Sequence, residues 1–310
     1  MDSSLREQAQ RGTLLYPFQV YRMSGGQERI FVSHHWHREI EVIFVLEGIL
    51  SLTVNDEKLT GKPGDIFWIG QEELHGMSAD EDNTCYNALV FPMELLSFEL
   101  FDYTQSHYMN PLCRKEWTFP TKIPRQSAHY RAIWQELLEI AAADTEHAPG
   151  YQIATKAALF KFVSLLIQDE LLYSAAEKDH RPSDFKLNTL KAIITYIQQH
   201  YSEKMNLCDI ARTFSLSPKY FSRYFKENLD RNFVDYVNGL RVERAADLLL
   251  NTDIPVGEIA LAVGFDNFSY FIRQFKKLRG CTPSQYRKEA EHSVMFDHMT
   301  HFAAATEDAG

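Results

Sequence analysis

The chain repeats itself. Phe221, Arg223, Phe225 and Lys226 recur fifty residues later as Phe271, Arg273, Phe275 and Lys276. Each copy sits in the same local grammar. In NLCDIARTFSLSPKYFSRYFKENL (206–229), Leu207, Ile210, Ala211 and Phe214 make the core side of a short helix, and Ser215-Leu216-Ser217 makes a tight turn. Ser217 then offers a hydroxyl N-cap, followed by Pro218 at the first helical position, where no amide donor is lost. The helix that starts there buries Phe221, Tyr224 and Phe225, and leaves Lys219, Ser222, Arg223 and Lys226 facing out. In VGEIALAVGFDNFSYFIRQFKK (256–277), Ile259, Ala260 and Val263 take the core side, Gly264-Phe265 the turn, and Asp266 or Asn267 the cap. Phe271 and Phe275 point inward, while Ser269, Ile272, Arg273 and Lys276 face out. An ordinary aromatic helix would explain one copy; matched cations in two copies favour a duplicated helix-turn-helix. Between them, Phe233–Leu250 places Val237, Leu240, Ala245, Leu248 and Leu249 on one face, so one long helix can hold both units.

Such a pair suits double-stranded DNA. A recognition helix fits the major groove, an outward arginine can bond guanine O6 and N7 together, and Lys or Tyr at the margins meets phosphate. The candidate DNA contacts are Ser217, Lys219, Tyr220, Ser222, Arg223 and Lys226 in the first copy. In the second they are Asn267, Ser269, Tyr270, Ile272, Arg273 and Lys276. The formal net charge of -10 seems to oppose nucleic acid, but it is uneven. Residues 184–289 hold 16 Lys and Arg against 12 Asp and Glu, a balance of +4; the remainder holds 16 against 30, or -14. A mildly basic module is joined to an acidic one.

The acidic part has a different period. From about 30 to 92, short apolar runs (Ile40–Leu46, Ile49–Val54, Asp65–Ile69, Ala88–Phe91) are broken by turn residues, which predicts strands in a small barrel or sandwich. From 125 the spacing turns helical, with Ile133, Leu137, Leu138 and Ile140, then Leu159, Phe162, Val163, Leu166 and Ile167, divided by Ala148-Pro149-Gly150. Two antiparallel helices are expected there. Residues 174–184 read as a polar linker, and the last 21 residues, with four acids and no Lys or Arg, as an acidic tail.

Within the strand region, His35, His37 and Glu41 form HxHxxxE and share one face of an extended strand. His75, in PGDIFWIGQEELHG (63–76), is the natural fourth member. Three readings stay open: the four groups hold a divalent metal, they hydrogen-bond a small polar effector without one, or they are plain structural histidines at the barrel rim. Trp36 and Trp68 are aromatic neighbours that could stack on a sugar face, although Phe67 and Trp68 are also needed to bury one side of Asp65–Ile69.

The residues after 185 resemble the AraC/XylS family of bacterial transcription regulators. Residues 254–288 follow the family's signature almost position by position, including Gly280, Thr282-Pro283-Ser284, Tyr286 and Arg287. The His35–Gly48 and 63–76 segments resemble the cupin double motif, departing from the cupin enzymes at Gly70, Glu72 and Ala79. Those departures weigh against catalysis more than against the fold. The resemblance implies an α+β multidomain chain: a cupin-like barrel with an N-terminal arm (1–122), a dimerising helical hairpin (123–174), a linker (175–184), a double helix-turn-helix domain (185–289) and a tail (290–310). It further implies promoter DNA, a small-molecule effector (sugars leading), RNA polymerase if the protein activates, and a homodimer as partners. Cys85, Cys113, Cys208 and Cys281 lie far apart with no CxxC pair, and the N-terminus lacks an apolar signal core, so a reducing cytoplasm and no membrane are expected. The competing reading is a cupin metalloenzyme, an isomerase or dioxygenase, tethered to DNA.

Overall fold

The computed structural model describes residues 12–13, 15–25, 30–79, 83–178, 184–229 and 231–288; residues 1–11 of the N-terminal arm, half of the expected linker (179–183) and the acidic tail lie outside them. By packing, the chain divides into two units, one of residues 1–26 and 34–191 and one of 27–33 and 192–310.

The first unit is built on two four-stranded sheets. One, in the order β1 (Gln19–Ser24), β8 (Cys85–Phe91), β3 (Ile40–Glu47), β6 (Ile66–Ile69), is antiparallel throughout. The other runs β2 (Ile30–His35), β7 (His75–Ala79), β4 (Leu50–Val54), β5 (Glu57–Gly61). Gly48, at φ 71°, turns β3 into β4, and a Cβ there would lie 2.5 Å from the Thr84 Cα, so only glycine fits. The two faces of the first sheet have different partners. Ile40, Val42, Phe44, Ile66 and Trp68 pack with the hairpin α2 (Tyr130–Glu146) and α3 (Tyr151–Gln168), through Ile133, Leu137, Leu159 and Phe162. The other face carries Glu41, and Val45 and Phe67 approach Gly61 of the second sheet. A short α1 (Asn110–Cys113) and β9 (Trp117–Thr118) precede the hairpin, and β10 (Tyr173–Ser174) follows it and pairs antiparallel with β9, with α4 (Ala175–Lys178) next in the chain. Asp65 locks this side, accepting bonds from Lys62 N (2.9 Å), Lys122 Nζ (2.8 Å) and Arg125 Nε (2.6 Å).

After α5 (Asp184–His200) the second unit carries α6 (Leu207–Thr213), α7 (Pro218–Leu229), α8 (Phe233–Asn251), α9 (Val256–Ala262) and α10 (Phe268–Arg279). Asn206, Asn232 and Asn267 cap α6, α8 and α10 by accepting the amides of Asp209, Asp235 and Tyr270. The duplication extends to the backbone of the turns. Ser215 (φ 55°) and Gly264 (φ 94°) end α6 and α9 in the same left-handed way. Leu216 N reaches the Ala211 carbonyl at 2.8 Å and Phe265 N the Ala260 carbonyl at 2.9 Å. The second turn is one residue longer, because α6 and α9 start 49 residues apart whereas α7 and α10 start 50 apart. Helix α8 serves both copies. Its Phe233 and Tyr236 meet the rings of α7, and Val242, Ala245, Ala246 and Leu249 pack with Ile259, Phe271 and Phe275. Arg287, from the signature, closes the far end of α8 on the carbonyls of Leu249, Thr252 and Ile254.

Candidate functional site: a nucleic-acid interface and a histidine–glutamate cluster

Helices α7 and α10 bury their aromatic stripes and expose the rest. Phe221, Phe225, Phe271 and Phe275 are fully buried, while Lys219, Ser222, Arg223, Lys226, Ser269, Arg273 and Lys276 are exposed and Ile272 is half-buried. The two helices therefore present matched cationic faces. Each also holds its arginine in the same way: the guanidinium of Arg223 lies 5.8 Å from the Tyr220 ring centre, and that of Arg273 lies 5.8 Å from Tyr270. A tyrosine at the start of α7 and one at the start of α10 thus meet the arginine of the same helix, and the two tyrosines are themselves fifty residues apart. The Tyr270 hydroxyl accepts from Asn238 Nδ2 of α8 at 2.8 Å, so this tyrosine also ties the helix to the rod. Ser217 Oγ, 3.3 Å from the Tyr220 amide, and Asn267 Oδ1 are engaged as caps. Phe268 stays 47% exposed beside Ser269.

In the first unit, His35, His37, Glu41 and His75 converge, with ligand atoms of all four within 4.8 Å of one another. Strand β2 supplies His35, β3 supplies Glu41 and β7 supplies His75, with His37 in the β2–β3 connection. His37 Nδ1 lies 3.1 Å from the Glu39 carbonyl and His75 Nδ1 lies 2.8 Å from the Glu73 carbonyl. A carbonyl only accepts, so each Nδ1 carries the hydrogen. Each Nε2 then turns toward the same carboxylate oxygen, Glu41 Oε2, at 3.2 Å for His37 and 3.0 Å for His75. Neutral rings would bring lone pairs against a carboxylate; the arrangement calls for positive charge, either protons on the rings or a cation among them. Burial pushes the Glu41 carboxyl up, but the bonds from His37 and His75 outweigh it and hold it well below the usual carboxylate range. Backbone carbonyls on Nδ1 with Nε2 turned to a common point is also how protein histidines are oriented toward metals. The donor set of three imidazoles and a carboxylate fits a divalent transition metal.

Two expected neighbours fare differently. Trp36 is half-buried in the β2–β3 connection, beside the cluster in sequence. Trp68 does not share the cluster's face. Glu41 pairs with Ile69 across β3 and β6, so Trp68, one residue earlier, points the opposite way. It is 1% exposed, between Phe119 and Phe162 in the hairpin core. Alternation along β6 wins here: with Phe67 taken by the inner face, the hairpin needs a large ring from Trp68.

Residues 210–289 match the helix-turn-helix domain family, and residues 17–163 match the AraC-like ligand binding domain family. The chain belongs to the AraC family of transcription regulators. It is 28% identical over 296 residues to the HTH-type transcriptional regulator YdeC of Bacillus subtilis, covering 93% of this chain and 97% of that one. The melibiose operon regulatory protein of Escherichia coli is 25% identical over 294 residues (93% and 94% covered). The Msm operon regulatory protein of Streptococcus mutans is 26% identical over 251 residues (81% and 84%). An AraC-family chain with a ligand-binding domain is a DNA-binding regulator, which sets aside the tethered metalloenzyme.

Proposed function

We propose that this AraC-family regulator binds promoter DNA with both recognition helices and activates transcription in response to a small polar effector, a sugar, taken by the face bearing His35, Trp36, His37, Glu41 and His75. The observation that carries the reading is the pair of matched cationic helices on one rod. Lys219, Ser222, Arg223, Lys226, Ser269, Ile272, Arg273 and Lys276 are the proposed contacts, with Tyr220 and Tyr270 restraining the arginines and Ser217 and Asn267 fixing the helix starts against phosphate. A rod of 19 residues is about 28 Å long, close to the roughly 34 Å between successive major grooves. The sugar class is supported by the melibiose and Msm operon regulators among the relatives. The proposal includes the domain limits of 1–122, 123–174, 175–184, 185–289 and 290–310, a homodimer through the hairpin, contact with RNA polymerase, and action in the cytoplasm. Among the described residues no helix is long and apolar enough to cross a membrane.

A second reading of the cluster is favoured by the two Nε2 atoms that converge on Glu41 Oε2. A divalent cation held by His35, His37, Glu41 and His75 would supply positive charge toward effector hydroxyls. A thermal-shift screen against mono- and disaccharides, with and without EDTA, separates the readings. A ligand at 100 times its Kd adds about 2.7 kcal/mol. A shift that survives EDTA supports direct hydrogen bonding, and one lost with EDTA supports the cation. Effector and DNA must also change each other's affinity by the same factor; absence of that coupling for a sugar that binds would refute its role as effector.

A further inference from the structure

Helices α7 and α10 share an arginine and a lysine but differ in what stands beside them. On each helix the outward side chains form two rows, with neighbours four residues apart. One row is Pro218, Ser222 and Lys226 in α7, and Phe268, Ile272 and Lys276 in α10. The other is Lys219 and Arg223 in α7, and Ser269 and Arg273 in α10. Where α7 carries proline, serine and lysine, α10 therefore carries phenylalanine, isoleucine and serine. The face of α10 gains an apolar edge and gives up one cation.

Phe268 begins that edge. It is the first residue of α10, directly after Asn267, whose side chain accepts the Tyr270 amide at 2.8 Å and so fixes where the helix starts. The core behind it is already filled by Phe265, Phe271 and Phe275, none more than 2% exposed. The Phe268 ring lies outside them, its centre 6.2 Å from that of Phe271 and its plane tilted by 32°, with nearly half of the residue open to solvent. A lone exposed ring on a protein surface means little by itself. The position gives this one its meaning, because the N-terminal residues of a recognition helix are those that contact base edges in the major groove. The apolar group displayed in that groove is the C5 methyl of thymine, which a phenylalanine side chain can contact. Half-buried Ile272, one turn further along, extends the same apolar surface toward Lys276.

We infer that Phe268 is a specificity-determining residue, whose ring, with Ile272 beside it, reads a thymine methyl in the half-site taken by α10. The inference rests on the reading of α7 and α10 as recognition helices and names what the second of them recognises. Arginine and lysine shared by both helices would make the two half-sites alike; Phe268 makes them different. A protomer with Pro218 on one helix and Phe268 on the other binds an unequal pair of half-sites, and so takes one orientation on its operator.

The test replaces thymine with 2′-deoxyuridine, which removes the C5 methyl and leaves the base pair intact. The full chain is titrated by fluorescence anisotropy onto the duplex it selects from a random pool, with each thymine replaced in turn. The half-site of α10 is the one whose sequence preference R273A relaxes. One replacement there should weaken wild-type binding about fourfold, the worth of one buried methyl. F268A should bind the thymine and deoxyuridine duplexes equally, which is the coupling expected of a ring and a methyl in contact. Replacements in the α7 half-site should affect wild type and F268A alike. The ratio of the two affinities is taken within each protein, so a smaller folded fraction of F268A cancels from it. A ratio unchanged in F268A would assign the ring to covering Phe271, and deoxyuridine tolerated at every position of the α10 half-site would remove the methyl contact. Either result overturns the inference and leaves the recognition helices standing. If R273A relaxes neither half-site, the placement of α10 fails and the inference with it.

Discussion

Arg223 and Arg273 can be removed at little cost to the fold, which makes them the sharpest handle on the DNA interface. The Arg223 side chain is 68% exposed and its one described ion pair, 3.8 Å from Glu227 Oε1, is also exposed; such pairs contribute about 0.2–1 kcal/mol. The contact with the Tyr220 ring adds about 0.5–1 kcal/mol at an exposed site. R223A and R273A should therefore melt within a few degrees of wild type. On DNA the cost is larger, because a bidentate arginine–guanine contact discriminates by about 1–3 kcal/mol. That is about fivefold to 150-fold in Kd. The assay is fluorescence anisotropy on a duplex selected by the wild-type protein from a random pool, with circular dichroism melts in parallel. Each variant should lose affinity for the selected duplex, keep its affinity for scrambled DNA within a few fold, and relax specificity at a separate position. If both bind the selected duplex like wild type while folded, α7 and α10 are not the reading helices.

Other expectations follow from the same geometry. Lys219→Ala should weaken binding to all duplexes alike and flatten the salt dependence of log Kd by about one unit. Phe225→Ala removes a fully buried ring that packs on Phe233 and Tyr236, and urea melts should show a loss of about 3–5 kcal/mol. Asp65 is pushed up by burial but is held below its ordinary value by Lys122, the Lys62 amide and Arg125; its stabilisation is present above about pH 4 and is lost as pH falls through the depressed value. Asp65→Asn should therefore lower stability at neutral pH by about 1–3 kcal/mol and shrink the pH dependence of urea midpoints on the acid side; an unchanged profile would show that these bonds do not matter. Glu41→Gln leaves two imidazoles against a neutral amide, so if a cation sits there, zinc uptake measured by elemental analysis should drop, and equal uptake would rule out Glu41 as a ligand.

Much of the second unit could be read in advance because its signals are local. Capping residues, the Ser-Pro helix start and aromatic stripes act within a few residues, so the helix-turn-helix pair follows from the 206–229 and 256–277 segments alone. The 49-residue offset of the first helices was hidden, since it lives in a one-residue difference of turn length that only the left-handed Ser215 and Gly264 reveal. In the first unit the strands at 40–46 and 49–54 and the helical hairpin were readable from period. The cluster was legible in the HxHxxxE spacing, but the expected single strand does not exist: His35 ends β2, His37 lies in the connection and Glu41 stands on β3 of the other sheet, so the chain's passage between sheets brings them together. Trp68 was not: which face of β6 meets the hairpin depends on its register with β3, a long-range choice with no local signature.

The central claim is that one protomer reads DNA with two helix-turn-helix units held on a single rod. Hydroxyl-radical footprinting of the full chain on its selected duplex tests this directly. The account predicts two protected patches on one face, one helical turn (about 10 base pairs) apart, with R223A clearing one and R273A the other. A single patch, or two patches that both variants clear together, would contradict it.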